Sequence, residues 1–208
     1  MSDTPLQFSP GGDAEEIARA DLYGVLAQLW AAPPGEESMP QLQDAPVAPG
    51  AAEATLAEPW RNLVQVIKAT SASAAADEYD ALFQGVGKPE VFLYGSYYLT
   101  GFLNERPLVR LRHDLAALGL ARDETRGETE DHVSFVLEVM RYLIAGDDVA
   151  VCNLERQRLF FRAHVQTWVE SFCDAVAAHP RANVYRAVAA LTRSFVQVET
   201  QGFDMLEA

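Results

Sequence analysis

The residues best suited to chemistry lie in one short run, Glu128-Thr129-Glu130-Asp131-His132, which we name the acidic box. Carboxylate and imidazole groups at this density can bind a metal ion or a cationic side chain. The alternative interpretation is helix capping by Thr129 or Glu128, with Glu130 or Asp131 in the first turn, where the helix dipole favours acids. Capping explains much of the composition but leaves His132 unexplained.

Metal and nucleotide chemistry have weak support. Glu128 and His132 have an i, i+4 spacing, but no second histidine-rich helix completes a ligand set, so we expect no metal site. Gly85-Val86-Gly87-Lys88 hints at a phosphate loop, yet Leu82 and Pro89 stand where that motif needs glycine and a hydroxyl residue. We expect Gly85 and Gly87 to be left-handed or close-approach positions.

Nucleophilic catalysis has no positive evidence in the sequence. Ser96 in Tyr-Gly-Ser-Tyr-Tyr lacks the second glycine of a nucleophile elbow. Cys152 and Cys173 form no CxxC pair and lie in or beside apolar helical patterns, so we interpret them as reduced packing cysteines. We therefore predict a protein that is not an enzyme and needs no cofactor.

Composition restricts the class of partner. A net charge of −14 and a pI near 4.6 disfavour nucleic acid and anionic membranes and favour a basic partner. No run approaches the roughly 18 apolar residues of a membrane span, and the first twelve residues do not resemble a signal peptide. We expect a cytoplasmic protein without stable membrane insertion.

Apolar periodicity predicts an all-α fold, a single helical bundle of about seven to ten helices. The predicted helices cover residues 14–30, 56–67, 71–83, 108–118, 130–143, 153–178 and 185–198. The segment 33–54 is rich in proline and is predicted to be a loop, and 91–99 a loop entering a helix. We expect two helical blocks, 1–122 and 123–208, joined by a charged hinge near 121–130 that leads into the acidic box.

Aromatic residues provide a second set of candidates. Phe83, Tyr94, Tyr97 and Tyr98 offer apolar area and hydroxyl groups that could contact a peptide, although core packing is the simpler explanation for each one. His164 lies beside the apolar stripe that includes Trp168, and we interpret it as a histidine at the edge of the core.

Several separated motifs together resemble the TorD/DmsD-type redox-enzyme maturation chaperones, in order and in spacing over nearly the whole chain. These motifs are Leu22-Tyr23-Gly24-Val25-Leu26-Ala27 with Pro33-Pro34, Tyr79-Asp80-Ala81-Leu82-Phe83-Gln84-Gly85-Val86-Gly87, Gly119-Leu120, the acidic box, and Phe161-Arg162-Ala163-His164-Val165-Gln166-Thr167-Trp168 with Phe172. The family's hallmark is a Glu-Pro-x-Asp-His box at a hinge, and Thr129 replaces its proline here.

The resemblance implies an all-helical cytoplasmic chaperone. Such proteins bind the twin-arginine signal peptide, and sometimes the body, of a molybdopterin oxidoreductase catalytic subunit until cofactor is loaded and export is safe. On this reading Glu128 and Asp131, with Glu130 beside them, attract the arginines, and His132 forms hydrogen bonds and titrates near neutrality. The positions that carry the family motif are Tyr79, Gly85, Gly87, His164 and Trp168.

Two other functions stay open, a GTP-regulated assembly factor that uses residues 85–88 and a resident subunit of the oxidoreductase complex. The resemblance and the charged hinge are consistent with a monomer or a domain-swapped dimer.

Overall fold

The computed structural model describes residues 10–44, 53–85, 87–122 and 127–206. These ranges contain ten α-helices and no strand, which confirms the all-α prediction. In chain order they are α1 (Pro10–Ala31), α2 (Ser38–Asp44), α3 (Glu53–Lys68), α4 (Ala72–Phe83), α5 (Gly95–Thr100), α6 (Arg106–Ala117), α7 (Val133–Ala145), α8 (Leu154–His164), α9 (Val169–Ala178) and α10 (Val184–Met205). Among the described helices, none is both long and apolar enough to cross a membrane.

The core is shared by the two halves of the sequence. Helix α1 packs along α7, and α10 packs against α3, α4 and α9. Trp30 is fully buried where these helices meet, with its ring centroid 4.6 Å from that of Phe172 and 5.7 Å from that of Tyr185. The Trp30 indole N–H donates to Thr192 Oγ1 at 3.0 Å, so the largest buried side chain also has its polar atom satisfied.

Helix α4 is fixed to the start of α10 by one carboxylate. Glu78 accepts hydrogen bonds from the backbone N–H groups of Asn183, Val184 and Tyr185 at 2.8, 3.0 and 2.9 Å. These groups have no partner within a helix, so Glu78 caps α10 from a different helix. This contact orients the last turns of α4, which contain Tyr79 and Phe83.

The loop predictions are partly right. The segment 91–99 is a loop that enters helix α5, as expected. The glycine predictions are confirmed, since Gly87 has a φ of +95° and a Cβ on Gly85 would lie 3.2 Å from the Lys88 carbonyl oxygen. The prediction of a loop over 33–54 was wrong in part, because helix α2 forms within this segment and buries Met39. Residues 45–52 of the segment lie outside the described ranges.

The single helix predicted over 153–178 was also wrong, because α8 and α9 are separated at 165–168. In a continuous helix the His164 carbonyl would accept the backbone N–H of Trp168. It accepts the Trp168 indole N–H instead, at 2.7 Å, and the backbone N–H bonds the Val165 carbonyl at 3.3 Å. A side chain thus competes for the helical acceptor, and the break places the indole ring against α5.

Gly95 is the point of closest approach between α5 and Trp168. A Cβ on Gly95 would lie 2.8 Å from Trp168 Cε2, and the indole is held by its hydrogen bond. We expect Gly95→Ala to lower the free energy of unfolding by about 1–3 kcal/mol through overpacking. Urea denaturation followed by circular dichroism measures this change.

Gly202 in α10 provides the matched control, since a Cβ there meets no atom within 4 Å. Gly202→Ala should leave stability unchanged or raise it by about 0.4–1 kcal/mol. Equal effects of the two substitutions would contradict the packing argument.

Candidate functional site

The end of the acidic box, a turn at Glu130-Asp131 followed by His132, is held by hydrogen bonds to the segment that leads into α5. The Gly95 N–H donates to the Asp131 carbonyl at 2.9 Å, the Val133 N–H donates to the Leu93 carbonyl at 2.8 Å, and Tyr94 and His132 form an antiparallel bridge. Helix α7 therefore begins at Val133, and the predicted start at 130 was wrong. The Asp131 carbonyl and the Val133 N–H bond this distant segment, and the His132 N–H bonds the Thr129 carbonyl at 3.0 Å in a turn.

Asp131 is buried, and both of its carboxylate oxygens are used inside the protein. Oδ2 accepts hydrogen bonds from the Ser96 N–H at 2.8 Å and from the Ser96 hydroxyl, while Oδ1 accepts from the Thr129 hydroxyl at 2.6 Å. Ser96, considered above as a nucleophile, is therefore a donor to this carboxylate. The structure thus places Asp131 at the junction of the box and α5, facing inward.

His132 is the N-cap of α7 and is neutral. Its Nδ1 accepts the Ser134 N–H at 3.2 Å and lies 2.7 Å from the Ser134 hydroxyl, so Nδ1 carries no proton. Burial lowers the pKa of His132 to about 4, against the opposing influence of Glu128 and Asp131. The expectation that His132 titrates near neutrality was therefore wrong, because desolvation outweighs two neighbouring carboxylates.

Glu130 is paired with a cation from another helix. Arg112 of α6 binds it through two contacts of 2.9 Å, from Nε to Oε1 and from Nη2 to Oε2. Partial burial alone would raise the pKa of Glu130, but the hydrogen bond from Arg112, a backbone hydrogen bond and the charges of Arg112 and Arg122 together outweigh burial and lower it. This pair joins the acidic box to α6.

Glu128 differs from the other acids of the box because its side chain is exposed and unpaired. Within the described ranges its carboxylate has neither a hydrogen-bond donor nor an ion-pair partner. Its negative charge still affects the pKa values of two nearby phenols. Burial, followed by the charge of Glu128, raises the pKa of Tyr79 to about 12, and the same two causes raise the pKa of Tyr94.

These groups line one open pocket with a cavity volume of about 190 Å³. Its walls come from the end of α1, the last turns of α4, the loop before α5, the acidic box and the first turn of α7. The lining residues are Ala31, Tyr79, Phe83, Gln84, Pro89, Leu93, Tyr94, Glu128, His132, Ser134 and Phe135. An anionic group beside aromatic rings is a suitable environment for a cationic side chain that carries apolar methylenes.

Some of the candidate residues line the pocket and others do not. Phe83, Tyr94, Glu128 and His132 line it, as does the motif residue Tyr79, whose hydroxyl donates to the Trp30 and Ala31 carbonyls. Sequence reasoning did not identify the other lining residues, which are Ala31, Gln84, Pro89, Leu93, Ser134 and Phe135. Phe135 alone of these is a large apolar residue of the helix predicted over 130–143, and this is the signal that could have identified it.

Tyr97 and Tyr98 lie away from this pocket. The Tyr98 ring stacks on Trp168, with centroids 5.9 Å apart, and its hydroxyl donates to the Phe92 carbonyl at 2.8 Å. The Tyr97 ring lies 4.1 Å from that of Phe92, again between centroids. Both tyrosines therefore pack α5 against its neighbours.

His164 and Trp168 are buried and serve the core. His164 Nε2 lies 2.7 Å from Asp114 Oδ2, which connects α8 to α6, and burial lowers the pKa of this histidine despite the nearby carboxylate. Across the described part of the chain, no group of three or more His, Cys, Asp or Glu residues is arranged to hold a metal ion.

The depressed pKa of His132 makes stability depend on pH. Its pKa rises from about 4 in the folded protein to about 6.5 in the unfolded chain, so the unfolded chain binds more protons below pH 6.5. Stability from this group is complete above pH 6.5 and is lost as the pH falls towards 4. We expect wild type to lose about 2–3 kcal/mol by this route between pH 7.5 and 4.5, and His132→Asn, which keeps a capping acceptor, not to lose it.

Urea unfolding of both proteins across this range isolates the contribution of His132 as the difference between them. His113→Asn, at an exposed histidine, is the matched control and should follow wild type. Parallel stability curves for wild type and His132→Asn would contradict the neutral, buried assignment.

The chain is similar to known proteins over much of its length. Residues 50–174, more than half of the chain, match the family model described as nitrate reductase delta subunit. Chaperone protein TorD from strains of Vibrio cholerae serotype O1 is 25% identical over 205 residues, which cover 90% of this chain and 93% of TorD.

A solved structure has the same fold. It is the crystal structure of a protein from Archaeoglobus fulgidus titled as a candidate redox enzyme maturation protein, with a TM-score of 0.57 and 18% identity, covering 95% of this chain and 99% of that one. The chain therefore belongs to the nitrate reductase delta subunit family, the TorD-like family of redox-enzyme maturation chaperones, whose members are not catalytic enzymes.

Proposed function

We propose that this protein is a cytoplasmic chaperone for a molybdopterin oxidoreductase catalytic subunit. It binds the subunit's twin-arginine signal peptide and its apo form, aids cofactor insertion and delays export. The similarity to TorD, which extends over 90% of this chain, supports a role in molybdoenzyme maturation. The pocket at the acidic box is the proposed site for the signal peptide.

The carboxylate of Glu128, which has no partner within the described ranges, is the observation that carries the proposal. Asp131 is saturated by Ser96 and Thr129, and Glu130 is paired with Arg112, so neither has a free oxygen as accessible as those of Glu128. An arginine that reaches the pocket gains a charge-assisted hydrogen bond at Glu128 without breaking an existing ion pair. In this division of roles, Glu128 contacts the peptide, while Asp131, Glu130 and His132 position it.

The aromatic walls complement the rest of the peptide. A twin-arginine leader has a basic head followed by an apolar body, and the pocket places Phe83, Tyr94 and Phe135 around its carboxylate. Arginine stacks on aromatic faces while its guanidinium binds a carboxylate, which lysine does less well. The net charge of −14 raises the rate of encounter with a basic peptide at low ionic strength.

Charge removal at Glu128 tests the site. We expect Glu128→Gln to weaken binding of a synthetic peptide, two arginines followed by an apolar segment, by about tenfold, or about 1.4 kcal/mol, because the charged acceptor is lost. Isothermal titration calorimetry at low and moderate salt measures this, and the difference from wild type should shrink as salt rises.

Glu15→Gln provides the matched control, with the same loss of charge at an exposed position of α1. It should retain the wild-type affinity. Equal affinities of wild type and Glu128→Gln would show that Glu128 does not bind the peptide. Equal losses of affinity in Glu128→Gln and Glu15→Gln would show that only net charge matters.

Residence in the mature enzyme is a second candidate function, favoured by the description of the matching family as a subunit. The two functions differ in the final complex. Recovery of this protein with the cofactor-loaded, exported oxidoreductase would favour a resident subunit, whereas recovery with the apo catalytic subunit alone supports the chaperone.

A further inference from the structure

A second surface, distinct from the pocket, exposes large apolar side chains on the α5–α6 connection and along α6. Leu99, Phe102 and Leu103 are 42%, 69% and 41% exposed within five consecutive residues, and Val109 of α6 is 65% exposed. Clusters of this kind mark interaction sites more often than single exposed apolar residues do. We name these four residues, with Arg106, Arg110 and His113, the α6 surface.

The exposure of the connection is built into its backbone. Gly101 and Asn104 both adopt left-handed conformations, with φ of +83° and +59°, on either side of Phe102 and Leu103. The Thr100 hydroxyl donates to the Ser96 carbonyl at 2.8 Å and accepts the Phe102 N–H at 3.2 Å. A left-handed asparagine costs free energy, so the chain tolerates strain while it holds two apolar side chains in solvent.

The α6 surface carries two exposed arginines in a protein whose net charge is −14. Arg106, Val109, Arg110 and His113 follow an i, i+3, i+4, i+7 spacing, so they share one face of α6. Arg110 has a 72% exposed side chain and reaches Asp114 only at 3.9 Å, and Asp114 is itself engaged by His164 at 2.7 Å. Glu105, at the N-cap, and Asp114, whose side chain is 38% exposed with Oδ1 3.5 Å from His113 Nδ1, are acids at the two ends of this face.

Contacts on the inner side of α6 keep this face outward. Leu108, Leu111 and Leu115 are buried, and Arg112 is directed to Glu130 of the acidic box. The surface thus combines fixed apolar side chains with two arginines, in a chain whose net charge is −14. This is the complement of an acidic segment that carries apolar side chains.

We propose that the α6 surface docks an acidic, apolar segment on the body of the client catalytic subunit, separate from its leader. The inference rests on the proposed function for the identity of the client. The basic leader is excluded from this surface by charge, whereas the pocket at Glu128 excludes an acidic segment. A protein segment is favoured over an anionic bilayer because an extended anionic surface is repelled by the whole acidic protein, while a short acidic segment can be placed over Arg106 and Arg110.

The test uses the full chain and two probes. One probe is the apo catalytic subunit without its leader. The other is a designed helical peptide of leucine and glutamate, and a peptide of leucine and lysine serves as its charge-reversed control. We expect Phe102→Ser combined with Arg110→Glu to weaken binding of the leaderless subunit and of the leucine-glutamate peptide at least tenfold in fluorescence anisotropy. Affinity for the twin-arginine leader peptide should stay at its wild-type value.

The matched control combines Val149→Ser, at an 82% exposed apolar position, with Arg61→Glu, at an exposed arginine of α3. It should bind both probes as wild type does. Equal weakening in both double variants, or undiminished binding in the α6 variant, overturns the proposal. If wild type co-sediments with anionic vesicles and the α6 variant does not, the surface binds lipid and the proposal is overturned. If the α6 variant differs from wild type only in self-association, the surface binds a second copy of the chain and the proposal is again overturned.

The two proposals fail separately. If Glu128→Gln loses leader binding and the α6 variant binds both probes as wild type does, the leader site is supported and the docking surface is refuted. Binding of the leucine-glutamate peptide that depends on the α6 surface, with no leader binding by wild type, supports the docking chemistry and removes the proposed leader site.

Discussion

The hydrogen bonds between Asp131 and Ser96 connect two parts of the chain that are 35 residues apart, and the pocket depends on that connection. The carboxylate accepts both the backbone N–H and the hydroxyl of Ser96 in the first turn of α5, and the Asp131 carbonyl accepts the Gly95 N–H. A buried carboxylate is tolerated only when its oxygens have donors, so the box and α5 have to meet for either to be stable. Their meeting places Tyr94 beside His132 and completes one wall of the pocket.

This connection also determines which acid is available to a ligand. Of the four ionisable groups of the box, Asp131 and Glu130 are used by the protein, and His132 is held neutral by burial and by its capping role. Glu128 is left with its charge in the pocket and no partner within the described ranges. A sequence with many acids thus yields a site with one free carboxylate, and the other acids act by holding its surroundings in place.

The helices could be predicted from the sequence because amphipathic periodicity is a local property. The break between α8 and α9 could not, because it depends on the Trp168 indole replacing a backbone donor at the His164 carbonyl. The start of α7 at Val133 was missed for a similar reason, since residues 131–133 exchange hydrogen bonds with 93–95. Within the site, Glu128 and His132 were identified from their type, but which acid stays free depends on Ser96 and Arg112, whose distances in sequence concealed their roles.

The Arg112–Glu130 pair lies between the pocket and the α6 surface. Arg112 of α6 neutralises Glu130 of the acidic box. The pair therefore removes one negative charge beside the pocket and one positive charge beside the α6 surface. The exposed charged groups nearby include Glu128 at the pocket and Arg106 with Arg110 at the α6 surface. Because the pair also fixes α6 relative to the box, the two surfaces keep a constant relative position, as simultaneous contact with two segments of one polypeptide would require.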